Sequence, residues 1–183
     1  MTAPASVSSD ERLRLFLALR LPDDVLDEVE RWQRGQLPGV RLVRREHLHV
    51  TLAFLGHRPI GELDSIVDDL RGAAAEAGEI RLTVASYRET RSVGMLALED
   101  DGGSAAALAD DLQERLERLG VYRRESRPWL PHLTVARWRE RPRLRPELPP
   151  VGTFVPSDAA AYLSRLHPGG ARYEVLESVA LGG

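Results

Sequence analysis

Two segments of this chain carry one pattern: His49-Val50-Thr51-Leu52 and His132-Leu133-Thr134-Val135 each read His, apolar, Thr, apolar. In an extended strand, side chains alternate between faces, so each segment places its His and Thr together and its apolar pair on the other side. An imidazole titrates near pH 6.5, and both protonation states are accessible around neutrality. Two imidazoles facing one cleft can therefore supply a base and an acid. Phosphodiester cleavage fits this pattern: one neutral His takes a proton from water and one charged His gives a proton to the leaving oxygen. Threonine hydroxyls on the same face can donate to the non-bridging phosphate oxygens. A single His-x-Thr in a strand would carry little weight, because Thr favours strands anyway. The recurrence matters, since two of only five histidines fall in matched positions.

A metal site is the rival use. His47 shares a strand face with His49, so His47, His49 and His132 together offer three imidazoles. That reading leaves the repeated Thr without a role, and no acid sits at a matching place in both segments. No metal is expected, and His47 is read as incidental to the start of the strand. His57 and His167 fall in turn-like settings and are assigned nothing. With no cysteine there is no disulfide, thiolate ligand or thiol nucleophile. The nucleophile elbow, the Walker-type phosphate loop and the dinucleotide fingerprint are all missing from the sequence, and no cofactor is expected.

The elements that must position these residues follow from periodicity and punctuation. Leu13–Leu21 reads as a strand, and Pro22-Asp23-Asp24 as the start of a helix reaching about Gln33. Val40–Val43 is a short strand, and Leu48–Leu55 a strong one broken by Gly56. A second helix follows, marked by Leu63, Ile66, Val67 and Leu70 and stopped at Gly78. Ile80–Tyr87 and Val93–Leu98 are strands. Ser104 is the expected N-cap of a third helix, and Gly120 its C-terminal cap. Leu133–Trp138 is the second His-Thr strand, and Arg139–Pro150 a loop. Ala159–Leu166 and Tyr173–Leu181 form a hairpin across His167-Pro168-Gly169-Gly170. The order strand, helix, loop, His-x-Thr strand thus occurs twice, over Leu13–Leu55 and Val93–Trp138. The expected fold is α+β: a bilobed two-fold pseudo-repeat of antiparallel sheets with outer helices and an active cleft between the lobes.

Composition bounds the rest. At 183 residues, 43% hydrophobic and 29% charged, the chain reads as one globular domain over residues 12–183 after a flexible tail, 1–11. A net charge of −3 excludes a strongly basic footprint, so any nucleic-acid contact is local. Every basic residue is Arg, which fits phosphate recognition but also a genome-wide compositional bias, so individual arginines need support from a motif. There is no apolar run of membrane length and no signal-peptide order at the start. A cytoplasmic monomer that does not engage membranes is expected.

At these motifs the chain resembles the RNA 2′,3′-cyclic phosphodiesterases, also called 2′–5′ RNA ligases, of the two-histidine phosphoesterases. The likeness rests on Leu48-His49-Val50-Thr51-Leu52-Ala53-Phe54-Leu55-Gly56 and on Arg127 through Arg137, which contains Pro131-His132-Leu133-Thr134-Val135. Arg14–Leu19 and Gly170–Tyr173 also resemble family positions. The resemblance implies metal-free hydrolysis of a 2′,3′-cyclic phosphate, on an RNA end or a small cyclic nucleotide, to a 2′-phosphate. It implies that His49 protonates the leaving 3′ oxygen, that His132 is the base on water, and that Thr51 and Thr134 hold the phosphate. It also implies weak reverse 2′–5′ ligation. Arg137 matches a family arginine and is a candidate phosphate contact, although strict alternation points it away from His132 unless the strand bends. Phe54 and Trp129 are candidate base-contacting aromatics. The family often carries an aromatic in the strand before its third helix, where this chain has Arg91-Ser92-Val93-Gly94-Met95. If a ring at that place packs near the substrate, base stacking is weaker in this chain. Two alternatives stay open: a non-catalytic nucleotide-binding module, and a phosphodiesterase for another cyclic phosphate such as that of ADP-ribose.

Overall fold

The computed structural model describes residues 11–182; the expected N-terminal tail, apart from Glu11, lies outside them. The chain runs β1 (Arg12–Arg20), α1 (Asp23–Gln36), β2 (Arg41–Leu42), β3 (Val50–Pro59), α2 (Leu63–Glu76), β4 (Arg81–Glu89), β5 (Val93–Asp101), α3 (Ser104–Arg118), β6 (His132–Arg137), β7 (Thr153–Phe154), β8 (Asp158–His167) and β9 (Gly170–Val179). These strands form two sheets, ordered β3-β1-β8-β9 and β2-β6-β5-β4-β7. All pairings are antiparallel, and two of them, β4 with β5 and β8 with β9, are hairpins with short turns. In each sheet the His-x-Thr strand pairs with the strand that precedes a helix: β3 with β1, and β6 with β5. The two His-x-Thr strands also lie in contact with each other. The fold is the expected α+β arrangement of antiparallel sheets and three helices.

The helices form because their apolar residues recur at helical spacing and need cover. Val25, Val29 and Trp32 of α1, Ile66 and Leu70 of α2, and Leu108, Leu112 and Leu116 of α3 join Leu15, Leu17, Leu52, Leu96 and Val135 of the sheets in one core. A fully buried leucine such as Leu112 stabilises the fold by about 1.5–3 kcal/mol. Asp23 and Asp24 place negative charge in the first turn of α1, where the helix dipole favours it.

Two punctuation marks behave differently from their sequence reading. Gly56 does not end β3. It sits inside the strand at φ 66°, beside a register shift opposite Leu15 and Phe16, so the glycine supports an irregular strand instead of stopping it. Ser104 does not cap α3. Gly103 occupies the cap position, and the Asp100 carboxylate accepts from the amides of Ala105 and Ala106 at 3.1 and 2.8 Å. The expected stop at Gly120, with φ 80°, is present.

Candidate active site

His49 and His132 line one cleft of about 770 Å³, together with Thr51 and Thr134. Each imidazole is held in the same way. The Nδ1 of His49 lies 2.7 Å from the carbonyl oxygen of His47, and the Nδ1 of His132 lies 2.9 Å from that of Leu130. A carbonyl only accepts, so Nδ1 must carry the proton and donate. In the neutral ring this leaves Nε2 as the bare, basic nitrogen. For His49, Nε2 lies 3.1 Å from the Thr51 hydroxyl. The backbone two residues earlier thus sets the tautomer of both rings.

The strand geometry after each Thr departs from simple alternation. Leu17 pairs with Ala53 and Ala18 with Thr51, so Leu52 has no partner in the ladder. Gly94 pairs with Ala136 and Met95 with Thr134, so Val135 has none either. Such bulges let two successive residues point to one side. Leu52 and Ala53 both enter the core, as do Val135 and Ala136. The next residues, Phe54 and Arg137, return to the cleft. The bend needed to bring Arg137 beside His132 is this bulge.

His49 is enclosed by aromatic rings. Its centroid lies 4.8 Å from Phe16, 5.7 Å from Tyr173 and 5.9 Å from Tyr162. Phe16 and Tyr162 stack at 4.7 Å, 2° from parallel. Burial among these rings pushes the His49 pKa down from 6.5 to about 4, and the nearby charges of His47, His132 and Arg137 act in the same direction. The bond to the His47 carbonyl opposes them. Burial likewise pushes the Tyr162 phenol up to about 12, so this ring stays neutral.

The cleft is cationic although the protein is acidic. Arg14, Arg41, Arg44, Arg137 and Arg172 line it, and among the described residues no Asp or Glu does. Arg14 donates to the buried Ser164 hydroxyl at 2.7 Å and lies over the Phe54 ring, 4.8 Å from its centroid. Phe54 is 49% exposed, a large apolar ring open to solvent at the cleft wall. No group of three or more His, Cys, Asp or Glu residues among the described ones is arranged to hold a metal ion.

Two aromatic expectations change. Trp129 is not on the cleft wall. Its ring packs on the core, and its indole N–H donates to the Thr51 carbonyl at 2.9 Å, tying the approach to β6 onto β3. Nor is an aromatic missing at Gly94: this residue is buried, and a Cβ there would come within 2.7 Å of the Tyr87 hydroxyl and 2.8 Å of the Trp138 ring. The space is already filled by those two side chains.

A model of the 2′-5′ RNA ligase superfamily matches residues 21–167. The chain belongs to this superfamily. It is 34% identical over 187 aligned residues to an RNA 2′,3′-cyclic phosphodiesterase of Thermus thermophilus, covering 93% of this chain and 91% of that protein. It is 28% identical over 177 residues to the Escherichia coli protein of the same name, covering 93% and 98%. A Thermus thermophilus crystal structure superposes with TM-score 0.80 at 30% identity, covering 93% of this chain and 99% of that one. The Escherichia coli LigT structure complexed with NADP+ does so with TM-score 0.79 at 26% identity, covering 95% and 100%.

Within this superfamily fold, several residues on the cleft or directly behind it escaped the sequence reading. Phe16, Tyr162 and Tyr173 come from three strands far apart in sequence, and only sheet pairing brings them around His49. His47, read as incidental to the start of the strand, and His167, which had been assigned nothing, both line the cleft. The His47 ring leans on Tyr173 at 4.4 Å, and its pKa is lowered, chiefly by burial. Arg14 and Tyr173 lay in segments that the family likeness touched, but without a role. The Arg excess hid the arginines, since nothing in composition separates Arg137 from the many arginines paired with acids on the surface.

Proposed function

We propose that this protein hydrolyses 2′,3′-cyclic phosphodiester ends of RNA to 2′-phosphomonoesters, by acid–base catalysis between His132 and His49. The observation that carries this reading is the matched setting of the two imidazoles, each with Nδ1 fixed by a carbonyl two residues back, on one arginine-lined cleft to which no Asp or Glu among the described residues contributes. The names of the relatives agree with it.

In the proposed reaction, Nε2 of His132 takes a proton from water as the water oxygen bonds to phosphorus. The bond from phosphorus to the 3′ oxygen breaks, and His49 gives that oxygen its proton. The products are a 2′-phosphate and a free 3′-hydroxyl, with the proton now on His132. Transfer of that proton to solvent and reprotonation of His49 reset the site. Thr51, Thr134 and Arg137 hold the non-bridging oxygens as charge grows on them. Burial leaves free His49 neutral at pH 7. The phosphodiester anion, placed beside it, favours the imidazolium and lets it arrive charged with the substrate. The reverse step, 2′–5′ ligation, uses the same groups and is the minor direction, because water far outnumbers 2′-phosphate ends.

The test is a panel of 2′,3′-cyclic mononucleotides, cyclic-phosphate RNA ends and ADP-ribose cyclic phosphate, run with and without a chelator, with product position read by phosphorus NMR. RNA ends should be converted fastest, to the 2′-monoester, in either buffer. Tight binding with no turnover would make the protein a binding module, and preference for the ADP-ribose compound would move the substrate class.

A further inference from the structure

Gln33 and Gln113 are two of the three buried polar residues among the described ones, at 2% and 7% exposure. Glutamine is seldom this buried unless its amide has a task. The Nε2 of Gln113 donates to the carbonyl of Leu52 at 2.9 Å. The Nε2 of Gln33 donates to the carbonyl of Val135 at 2.7 Å and to that of Val43 at 3.0 Å. Leu52 and Val135 are the two bulge residues, each following the Thr of a His-x-Thr segment. A bulge takes its extra residue out of the ladder with the neighbouring strand, and its carbonyl then turns to other donors: Leu52 to the Gln113 amide, and Val135 to the Gln33 amide beside the Val43 N–H.

The assignment is crosswise. Helix α1 belongs to the half of the chain that carries His49, yet its Gln33 holds the bulge beside His132. Helix α3 precedes the strand of His132, yet its Gln113 holds the bulge beside His49. We propose that Gln33 and Gln113 are reciprocal positioning residues: each fixes the bulge that follows the other half's His-x-Thr segment and returns the residue three places after the Thr, Phe54 or Arg137, to the cleft. Neither touches substrate. This reading rests on the proposed roles of His49 and His132 for its effect on turnover, but not for its effect on geometry.

Methionine fills a volume close to that of glutamine and offers no donor. With Gln113→Met, the Leu52 carbonyl loses its amide; with Gln33→Met, the Val135 carbonyl keeps only the Val43 amide, at 3.0 Å. The readout is the long-range ¹H–¹⁵N spectrum of the imidazoles, together with kcat and KM on a 2′,3′-cyclic mononucleotide. Gln113→Met should move the His49 signals and leave those of His132 in place, and Gln33→Met should do the converse. Each should lower kcat roughly tenfold to a hundredfold, the scale of a small misplacement of reacting groups, and should raise KM as well, because Phe54 or Arg137 shifts with its bulge. Signals that move in the variant's own half, in both halves equally, or not at all would overturn the proposal. If a methionine variant does not fold, the glutamate variant replaces it. Its protonated carboxyl still donates one bond, so the crosswise shift should appear only as that carboxyl ionises, and a shift on the wrong histidine overturns the proposal equally. Failure of every variant and of the wild type to cleave a phosphodiester would count against the proposed function, while the spectra would still decide the positioning.

Discussion

Leu52 and Val135 occupy equivalent places in the two sheets: each follows a cleft threonine, lacks a ladder partner and points into the core. The similarity between the two halves therefore extends past the four-residue motif into the backbone irregularity behind it. That irregularity decides what stands three residues after each Thr, namely a ring in one half and a guanidinium in the other. The two halves of the site are alike in how they hold a histidine and unlike in what they add beside it.

Arg137 is the cationic member of that unlike pair, and it has no ion-pair partner among the described residues. Arg137→Met should raise KM for a cyclic mononucleotide roughly ten- to a hundredfold, the range set by a charged hydrogen bond of about 1.5–3 kcal/mol. Arg137→Lys should recover only part of this, because a lysine cannot match the planar fork. Steady-state kinetics on the three proteins checks it. Wild-type KM in the methionine variant would remove Arg137 from the site.

The histidines should prove mutually dependent. His49→Ala and His132→Ala are each expected to lower kcat by about a hundred- to ten-thousandfold. The double variant should be little worse than the worse single one, since one proton transfer is of little use without the other. Multiplying losses would show that the two imidazoles act on separate steps.

The pH behaviour follows from the aromatic enclosure. If turnover needs one proton shared by the pair, kcat/KM falls on the acid side as the second imidazole charges. That limb should lie near pH 4, where free His49 titrates. Tyr173→Ser opens one wall to water and should move the limb upward, toward 6.5. The same shift affects stability. The folded pKa of His49 lies below its unfolded value, so its stabilising contribution is complete above pH 6.5 and is lost as the pH falls to about 4. At about 1.4 kcal/mol per pH unit, the loss is at most roughly 3–4 kcal/mol. Denaturant melts of wild type and His49→Gln between pH 7 and pH 4 would check it: the two curves should converge as the pH falls.

The helices, every strand but β7 and the four motif residues were legible in the sequence because they rest on local rules: alternation, helical spacing, turn chemistry and a repeated motif. The bulges were not. Strict alternation places Arg137 on the wrong face, and only the pairing of β6 with β5 reveals the extra residue. The ring cage of His49 was hidden for a similar reason, since Phe16, Tyr162 and Tyr173 share no local pattern and meet only across β1, β8 and β9. Gln33 stood only as the expected end of the first helix, and Gln113 carried no reading in the third. Their partners lie 102 and 61 residues away, beyond the reach of any periodicity.

Phe54 and Trp129 were equivalent candidates in the sequence, and the structure separates their roles. Phe54 is open to the cleft with Arg14 over its face, while Trp129 spends its one N–H on the Thr51 carbonyl. Phe54→Ala should therefore weaken binding of a base-bearing substrate, by about 1–3 kcal/mol if one base stacks on the ring, and leave inorganic phosphate binding unchanged. Trp129→Phe keeps an apolar ring and loses only the donor. It should cost about 1 kcal/mol of stability and leave KM for the same substrate at its wild-type value. The two substitutions thus have opposite signatures in calorimetry and in melts. A raised KM in the Trp129 variant without loss of stability would return that ring to the substrate.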